Sequence, residues 1–318
     1  MNLALKKRIT TPKNTEYKPS KLKTVKKNLD LYLLLIPGLI FIIIFRYTPM
    51  YGLVIAFQDY NIFEGVKGSQ WVGFQQFEKL FHSAQFLQVL TNTLLISIYK
   101  IVILFPIPIF IAVVLNEIRS MFFKRSVQTI IYLPHFLSWV IVSGLVINVL
   151  SPSTGIINNV IVSLGGSPIS FLMDNHWFRS VIVFSEGWKE IGYSTIIYIA
   201  SIAGIDQEQY EAAKVDGASR IMQILHITIP GIWSIILLMF ILRLGSILND
   251  NMEQILLLYN SVVYQTGDVI GTYVYRVGLG QQDYSFSTAV GLFDSVIGFI
   301  LVMGGNFISK KSTDRSVW

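Results

Sequence analysis

An all-α bundle of membrane-spanning helices is the fold class this sequence predicts, and three observations predict it. Of its 318 residues 53% are hydrophobic and only 14% charged, where an ordinary soluble domain has about a quarter charged. Six apolar windows, at 32–56, 91–115, 127–150, 179–203, 231–249 and 286–308, each reach the roughly 20 residues a helix needs to cross a bilayer. The basic residues gather in alternate connections between those windows, the pattern of cytoplasmic loops in polytopic proteins.

The first window follows a basic tail carrying Lys6, Lys7, Arg8, Lys13, Lys18, Lys21, Lys23, Lys26 and Lys27. It is longer than a signal-peptide core and no small-residue cleavage site follows it, so it reads as a retained span. With the N-terminus inside, the inner segments hold that tail, Arg119, Lys124 and Arg125, then Lys214 and Arg220, then Lys310, Lys311 and Arg315. The outer loops hold Lys67, Lys79, Arg276 and the boundary residue Arg179. Both termini and residues 204–230 therefore face the cytoplasm. The chain divides into a tail at 1–30, a six-span membrane domain at 31–308 and a second tail at 309–318. The net charge of +6 reads as a topology signal beside anionic lipid headgroups and not as a nucleic-acid surface, which needs a basic patch on a soluble face. Trp71 and Trp177, in the outer loops, suit the headgroup level.

Whole classes of chemistry are excluded. There is no Cys, and the four His, at 82, 135, 176 and 226, form no metal-binding pair. No phosphate-binding glycine loop or nucleophile elbow is present. The chain is expected to be no enzyme, to bind no metal and to hold no cofactor of its own.

Within the spans, Pro106 and Pro108 predict a kink in the second. His135, after Pro134 in the third, reads as an interhelical hydrogen-bonding group. The fourth contains Glu186, Lys189 and Glu190, whose three- and four-residue spacing predicts one shared helical face. A charge at the bilayer centre costs about 2.5–3.5 kcal/mol on insertion scales, so such a face belongs beside a polar route or a partner, unless Lys189 serves only to neutralise the two carboxylates. Tyr193 and Trp188 are candidates to cover the apolar face of a solute. Asn249, Asp250, Asn251 and Glu253, at the end of the fifth span, form a second polar cluster, read either as ligand groups for hydroxyls or as a helix end near the outer surface. Lys100 and Arg243 are expected to snorkel or to pair with a carboxylate on another helix.

Between the fourth and fifth spans stands EAAKVDGASRIMQILHITIP, residues 211–230. Asp206 is placed to cap a helix starting at Gln207, with Gln209 reaching back to it. Gly217 ends that helix, Ser219 caps a second short helix through Ile227, and Pro230 opens the fifth span. The residues alone admit two roles, a surface that another protein approaches closely at Ala212 and Ala213, or an amphipathic connector in the membrane interface.

The spacing Glu211-Ala212-Ala213, Gly217 three residues later, and Ile227-Thr228-Ile229-Pro230 after nine more resembles the EAA motif of permease subunits in bacterial ATP-binding-cassette (ABC) importers. Ile229 departs from the Leu that the family prefers, a volume-conserving change. Residues 33–61, 71–81 and 132–146 are similar to maltose-type carbohydrate permeases, above all the polysaccharide or lipoprotein-linked branch. The resemblance implies a type I importer permease fold in which Glu211, Ala212, Ala213, Asp216 and Gly217 form a coupling helix. It implies two cytoplasmic ATPases that carry the ATP and magnesium, a second permease in a pseudo-symmetric heterodimer, and an extracytoplasmic solute-binding protein delivering an oligosaccharide. It places Glu186, Lys189, Glu190 and Tyr193, with the Asn-rich stretch, near the sugar route, although the family's residues there are largely uncharged. The rival reading is an ion-coupled secondary transporter using the charges of the fourth span.

Overall fold

The computed structural model describes residues 28–248 and 252–313, with side chains through 307. The basic tail at 1–27, residues 249–251 and the last residues of the chain lie outside the described part. Residues up to Leu53 form one unit and those from Val54 a second. In the first, α1 (Leu29–Ile42) passes through Pro37 and continues in a wide turn, Ile43–Tyr47, and a short helical turn, Thr48–Met50. Leu29–Phe57 is long and apolar enough to cross a membrane.

The second unit starts with a two-residue antiparallel ladder, β1 (Gln58–Asp59) with β2 (Gln70–Trp71), pairing Gln58 with Trp71 and Asp59 with Gln70. Then follow α2 (Gln75–His82) and the long pair α3 (Ala84–Tyr99) and α4 (Pro106–Glu117), joined by a wide turn at Lys100–Leu104. Pro106 has no N–H to give the preceding turn, and the helix accommodates this by adding a residue to that turn. The whole run, Ala84–Glu117, qualifies as a membrane span.

The third expected span is not one helix. α5 (Met121–Tyr132) ends in a tight turn at Leu133–Phe136, and α6 (Trp139–Leu150) departs from it at 103°. Pro134 disfavours a helical residue before it, and Ser138 restarts the chain by accepting a hydrogen bond from the Ile141 N–H at 3.4 Å. After α7 (Ile156–Ser163) comes α8 (Phe178–Ala203), whose 26 residues run about 39 Å. It is long enough for the fourth span, although its charges set it apart from the four uniformly apolar helices.

α9 (Gln207–Val215) is the helix expected before Gly217. The second helix of that segment is not separate. α10 (Arg220–Gln223), a wide turn at Ile224–Thr228 and α11 (Ile229–Gly245) form one apolar helix, Arg220–Gly245. Pro230 sits in the first turn of α11, where a missing N–H is harmless after the wide turn. Outside the spans lie α12 (Met252–Leu258) and α13 (Ile270–Tyr275), and α14 (Tyr284–Thr313) supplies the last span as Tyr284–Phe307. Among the described residues four helices are long and apolar enough to cross a membrane, and a fifth is obtained if α5 and α6 count as one bent span.

Packing follows the rule that membrane helices approach through small residues, because lipid supplies no hydrophobic drive between them. Gly192 of α8 lies so close to α5 that a Cβ there would fall 1.8 Å from the Ile131 carbonyl oxygen. Ala112, Val113, Tyr198, Ile202, Ile232 and Ile236 lock α4, α8 and α11 together at one end. At the other end Ile96, Phe178, Ile182, Ile255 and Leu258 join α3, α8 and α12. α8 is thus the central column against which the bent pair and the two long spans are set.

Candidate functional site

Halfway along α8 the core turns polar. Glu186 is 3% exposed and is bridged by two cations from other helices, Lys100 from the wide turn after α3 and Arg243 of α11, whose Nη2 lies 2.9 Å from Oε1. Lys100 is fully buried. The extra residue in its turn and the proline behind it bring its side chain in from a helix otherwise lined with aliphatic groups. A cavity of about 450 Å³ opens here, lined by Lys100, Glu186, Glu190, Ser194, Tyr198 and Arg243. Buried charges persist only when paired, since removing one partner costs about 3–5 kcal/mol.

The expected face of three charges divides. Glu186 and Glu190, one turn apart, both reach the cavity, but Lys189 points toward the bend between α5 and α6. Its Nζ lies 3.1 Å from a Glu190 oxygen, donates to the His135 carbonyl at 2.7 Å and sits 5.5 Å from the centre of the Trp139 ring. It does not neutralise both carboxylates: Glu186 is paired instead with Lys100, from the turn after α3, and with Arg243 of α11. His135 is the interhelical group expected: Nδ1 meets the other Glu190 oxygen at 2.8 Å, and the ring stacks on Tyr193 at 3.7 Å between centroids, nearly parallel.

Trp188 is placed elsewhere. Two residues along a helix turn the side chain by about 200°, so Trp188, 51% exposed, lines an apolar groove with Val149, Trp177 and Phe184, away from the polar cavity. Asn249, Asp250 and Asn251 fall outside the described residues, and Glu253 is exposed in the first turn of α12. The residue beside it, Gln254, is fully buried and donates to the Ile182 carbonyl and the Ser185 hydroxyl, both at 2.8 Å. Sequence reasoning missed Gln254, which stands in an apolar run without any spacing signal.

At the far end of α8 the segment 204–230 is built to a fixed shape. The Asp206 carboxylate caps α9 by accepting from the Glu208 N–H at 3.0 Å. Among the described residues, Gln209 makes no return side-chain bond, so the expected reciprocal capping is half formed. Gly217 closes the helix with φ +79°, its N–H reaching the Lys214 carbonyl and that of Ala218 reaching Ala213 at 2.8 Å. This is the paired bonding of a left-handed helix end. Tyr210 ties α9 to the buried Thr228 at 2.9 Å, and Arg220 pairs with Glu117 at the end of α4. Glu211, Ala212, Val215, Asp216 and Gly217 stay exposed, as do Ile221, Met222 and Leu225, while Ala213 is half-buried.

The opposite end is a polar lattice. Asn92 donates to the carbonyls of Gln265 and Asp268, and Arg179 donates to Asn92 and to the Thr266 carbonyl. Asp268 grips Arg276 through two bonds, which raises the already high guanidinium pKa, and Arg276 lies over Tyr264. Burial, Tyr264 and Asp268 push the Tyr259 hydroxyl up to about 12 against a lowering bond from Arg276.

Residues 104–312 match the family described as binding-protein-dependent transport system inner membrane component. The chain belongs to that family. It is therefore the membrane-embedded component of a transport system, a permease and not an enzyme, and its fold is the type I ABC importer permease fold. Protein LplB of Bacillus subtilis (strain 168) is 48% identical over 287 residues, 90% of each chain. The polygalacturonan/rhamnogalacturonan transport system permease protein YteP of the same organism is 46% identical over 288 residues, 91% of this permease and 90% of YteP. A crystal structure of a bacterial ABC transporter involved in the import of the acidic polysaccharide alginate contains a chain similar at 42% identity with a TM-score of 0.85. The match covers 92% of the permease and 99% of that chain. The alginate transporter solved in complex with its alginate pentasaccharide-bound periplasmic protein gives 41% identity and a TM-score of 0.86, over 93% and 99%. A protein that works with a binding protein across a membrane is what these likenesses describe. They lend no support to the ion-coupled secondary transporter.

Proposed function

We propose that this permease takes an oligosaccharide, acidic like the cargo named for its relatives, inward across a bacterial plasma membrane by alternating access. Both termini and α9 face the cytoplasm. A second permease completes the pore, an external binding protein delivers the sugar, and two cytoplasmic ATPases hold the ATP and magnesium, so that this chain needs no cofactor. Glu211, Ala212, Ala213, Asp216 and Gly217 are the ATPase-coupling surface. Glu186, Lys189, Glu190 and Tyr193 face the route, and carboxylate, ammonium and phenol groups suit a polyhydroxylated cargo. The same role falls to Asn249, Asp250, Asn251 and Glu253 by their place in the sequence, while Trp188 is left to a partner or lipid by its position in the apolar groove.

One observation carries this reading: the rigid, exposed knob of α9, anchored through Tyr210–Thr228 and Arg220–Glu117 to the bases of two spans. A push on such a knob moves α4 and α11 as bodies, and both reach the cavity at Glu186. The test is purification of the tagged permease in mild detergent, with mass spectrometry of what accompanies it. An ABC ATPase and a second permease are expected with the native chain, and Glu211→Arg is expected to lose the ATPase while keeping the second permease. Retention of the ATPase by Glu211→Arg at the native level would overturn the coupling assignment.

A further inference from the structure

α2 (Gln75–His82) stands at the end of the spans opposite the α9 knob, because the span that follows it, Ala84–Glu117, finishes at the Glu117–Arg220 pair. Its surface divides into three sides. Counting about 100° per residue, Gln76 and Leu80 share one side, and both are buried. Leu80 enters the cluster of Phe86 and Val89 of α3, Tyr273 of α13 and Phe286 and Val290 of α14. Phe77 and Phe81, with Phe74 at the N-cap, stand about 110° round from that side. Phe74 is 74% exposed and Phe81 53%. Gln75, Glu78, Lys79 and His82, all exposed, complete the circle. A helix lying on a soluble rim needs only an apolar side and a polar one. The third, aromatic side calls for a further cover, as exposed contiguous apolar surface does.

That aromatic side is continuous with surface at hydrocarbon depth. In one direction Phe74 and Phe77 close around Phe57, on which the exposed Trp71 is stacked at 5.7 Å between centroids. In the other, Phe81 meets Phe293 edge-on at 5.7 Å. Phe293 lies about 13 Å along α14 from its start at Tyr284. Val296 and Ile300, three and seven residues further along the same face, are exposed apolar groups of that span. The polar side is held the other way: Lys79 reaches Asp283, just before α14 begins, at 3.0 Å. Charged groups tied to the end of a span, with aromatic rings running down its flank, are the setting of an amphipathic helix in the plane of a membrane interface.

We propose that α2 is an interfacial helix, its Phe74, Phe77 and Phe81 side embedded in the outer part of the acyl-chain layer while Glu78, Lys79 and His82 face headgroups and water. The partner is phospholipid, held by apolar contact and not by charge, since Glu78 and Lys79 balance. So seated, α2 fixes the depth of the two spans it touches. It acts on α3 through Ser83, which accepts from the Phe86 N–H at 3.2 Å, and on α14 through the Lys79–Asp283 pair.

Because the chain has no cysteine, single thiols report cleanly. The complete transporter, its other chains made cysteine-free, is reconstituted in phospholipid bilayers with Phe74→Cys or Phe81→Cys on the aromatic side, or Glu78→Cys on the polar side for comparison. Each thiol carries the environment-sensitive fluorophore nitrobenzoxadiazole, and the quencher is a phosphatidylcholine bearing a nitroxide near the top of its acyl chain. Labels at 74 and 81 are expected to emit at shorter wavelength than at 78 and to be quenched severalfold more strongly, with or without the binding protein. Phe74→Cys stands alone if Phe81→Cys, which loses its contact with Phe293, does not assemble. Quenching at 74 no stronger than at 78 would overturn the proposal. A label at 74 that emits at short wavelength but escapes the nitroxide lipid would overturn it in favour of the second permease as the cover. A shift at 74 that appears only on adding the binding protein would overturn it in favour of that protein.

Discussion

Replacing Gly217 isolates the turn that ends α9 from everything else in the molecule. Gly217 has φ +79°, and no heavy atom lies within 4 Å of where a Cβ would stand. Gly217→Ala therefore meets no clash, and its whole cost is conformational, about 1–2 kcal/mol for a side-chain-bearing residue held in the left-handed region. The free permease relieves that strain by loosening the last turn of α9, an exposed turn whose opening leaves the Tyr210–Thr228 and Arg220–Glu117 anchors intact. On the proposed coupling role, an ATPase that fits the closed knob must restore it, so the cost reappears as a weaker complex. At 1.4 kcal/mol per decade, that is about 5- to 30-fold in Kd. Gly217→Asn, which tolerates the left-handed region better, is expected to fall between Gly and Ala. The assay is titration of the detergent-solubilised permease pair with labelled ATPase, alongside its thermal unfolding. An unchanged Kd for Gly217→Ala, or a fall in unfolding temperature as large as that of a core substitution, would refute the reasoning.

Two other perturbations bear on the interior and on the segment after α12. Glu186→Gln leaves Lys100 and Arg243 without the carboxylate that bridges them, and a loss of about 3–5 kcal/mol is expected. Thermal unfolding should fall by several degrees, well beyond the change for Glu190→Gln at its one-third exposed site, and equal falls would contradict the burial argument. Tyr259 is raised from its ordinary 10.0 to about 12, mainly by burial. A raised folded pKa means that its contribution is full below pH 10 and is lost as pH climbs through 12. Hydrogen exchange in residues 259–276 should accelerate over that window in the native chain and less in Tyr259→Phe; identical profiles would exclude Tyr259 as the cause.

Legibility differed from element to element for physical reasons. Gly217 was readable because a left-handed helix end tolerates few other residues, and Asp206 because a helix start needs a side-chain acceptor. The reciprocal bond from Gln209 did not form, since a local motif permits such a bond without enforcing it. Pro134 marked a boundary, but the 103° bend depends on where α8 stands, through Gly192 against Ile131 and Lys189 on the His135 carbonyl. Helical spacing put Glu186 and Glu190 on one face, but Lys189 turned from it to the bend between α5 and α6, and spacing gave no means of knowing that Lys100 and Arg243 would claim Glu186.

What the sequence by itself determined was what is governed by solvent and by neighbours within one or two turns: apolar runs long enough for a bilayer and the shape of the helix ended by Gly217. Family membership was legible for the same reason, because the EAA spacing is local. The tertiary structure alone decided which charges meet, that Trp188 turns to an apolar groove, that Gln254 of α12 is buried against α8, and that His135 sits at an exposed break. Those outcomes depend on close approach between helices distant in sequence, and in a membrane that approach is set by the fit of side chains across the contact, which no single segment encodes.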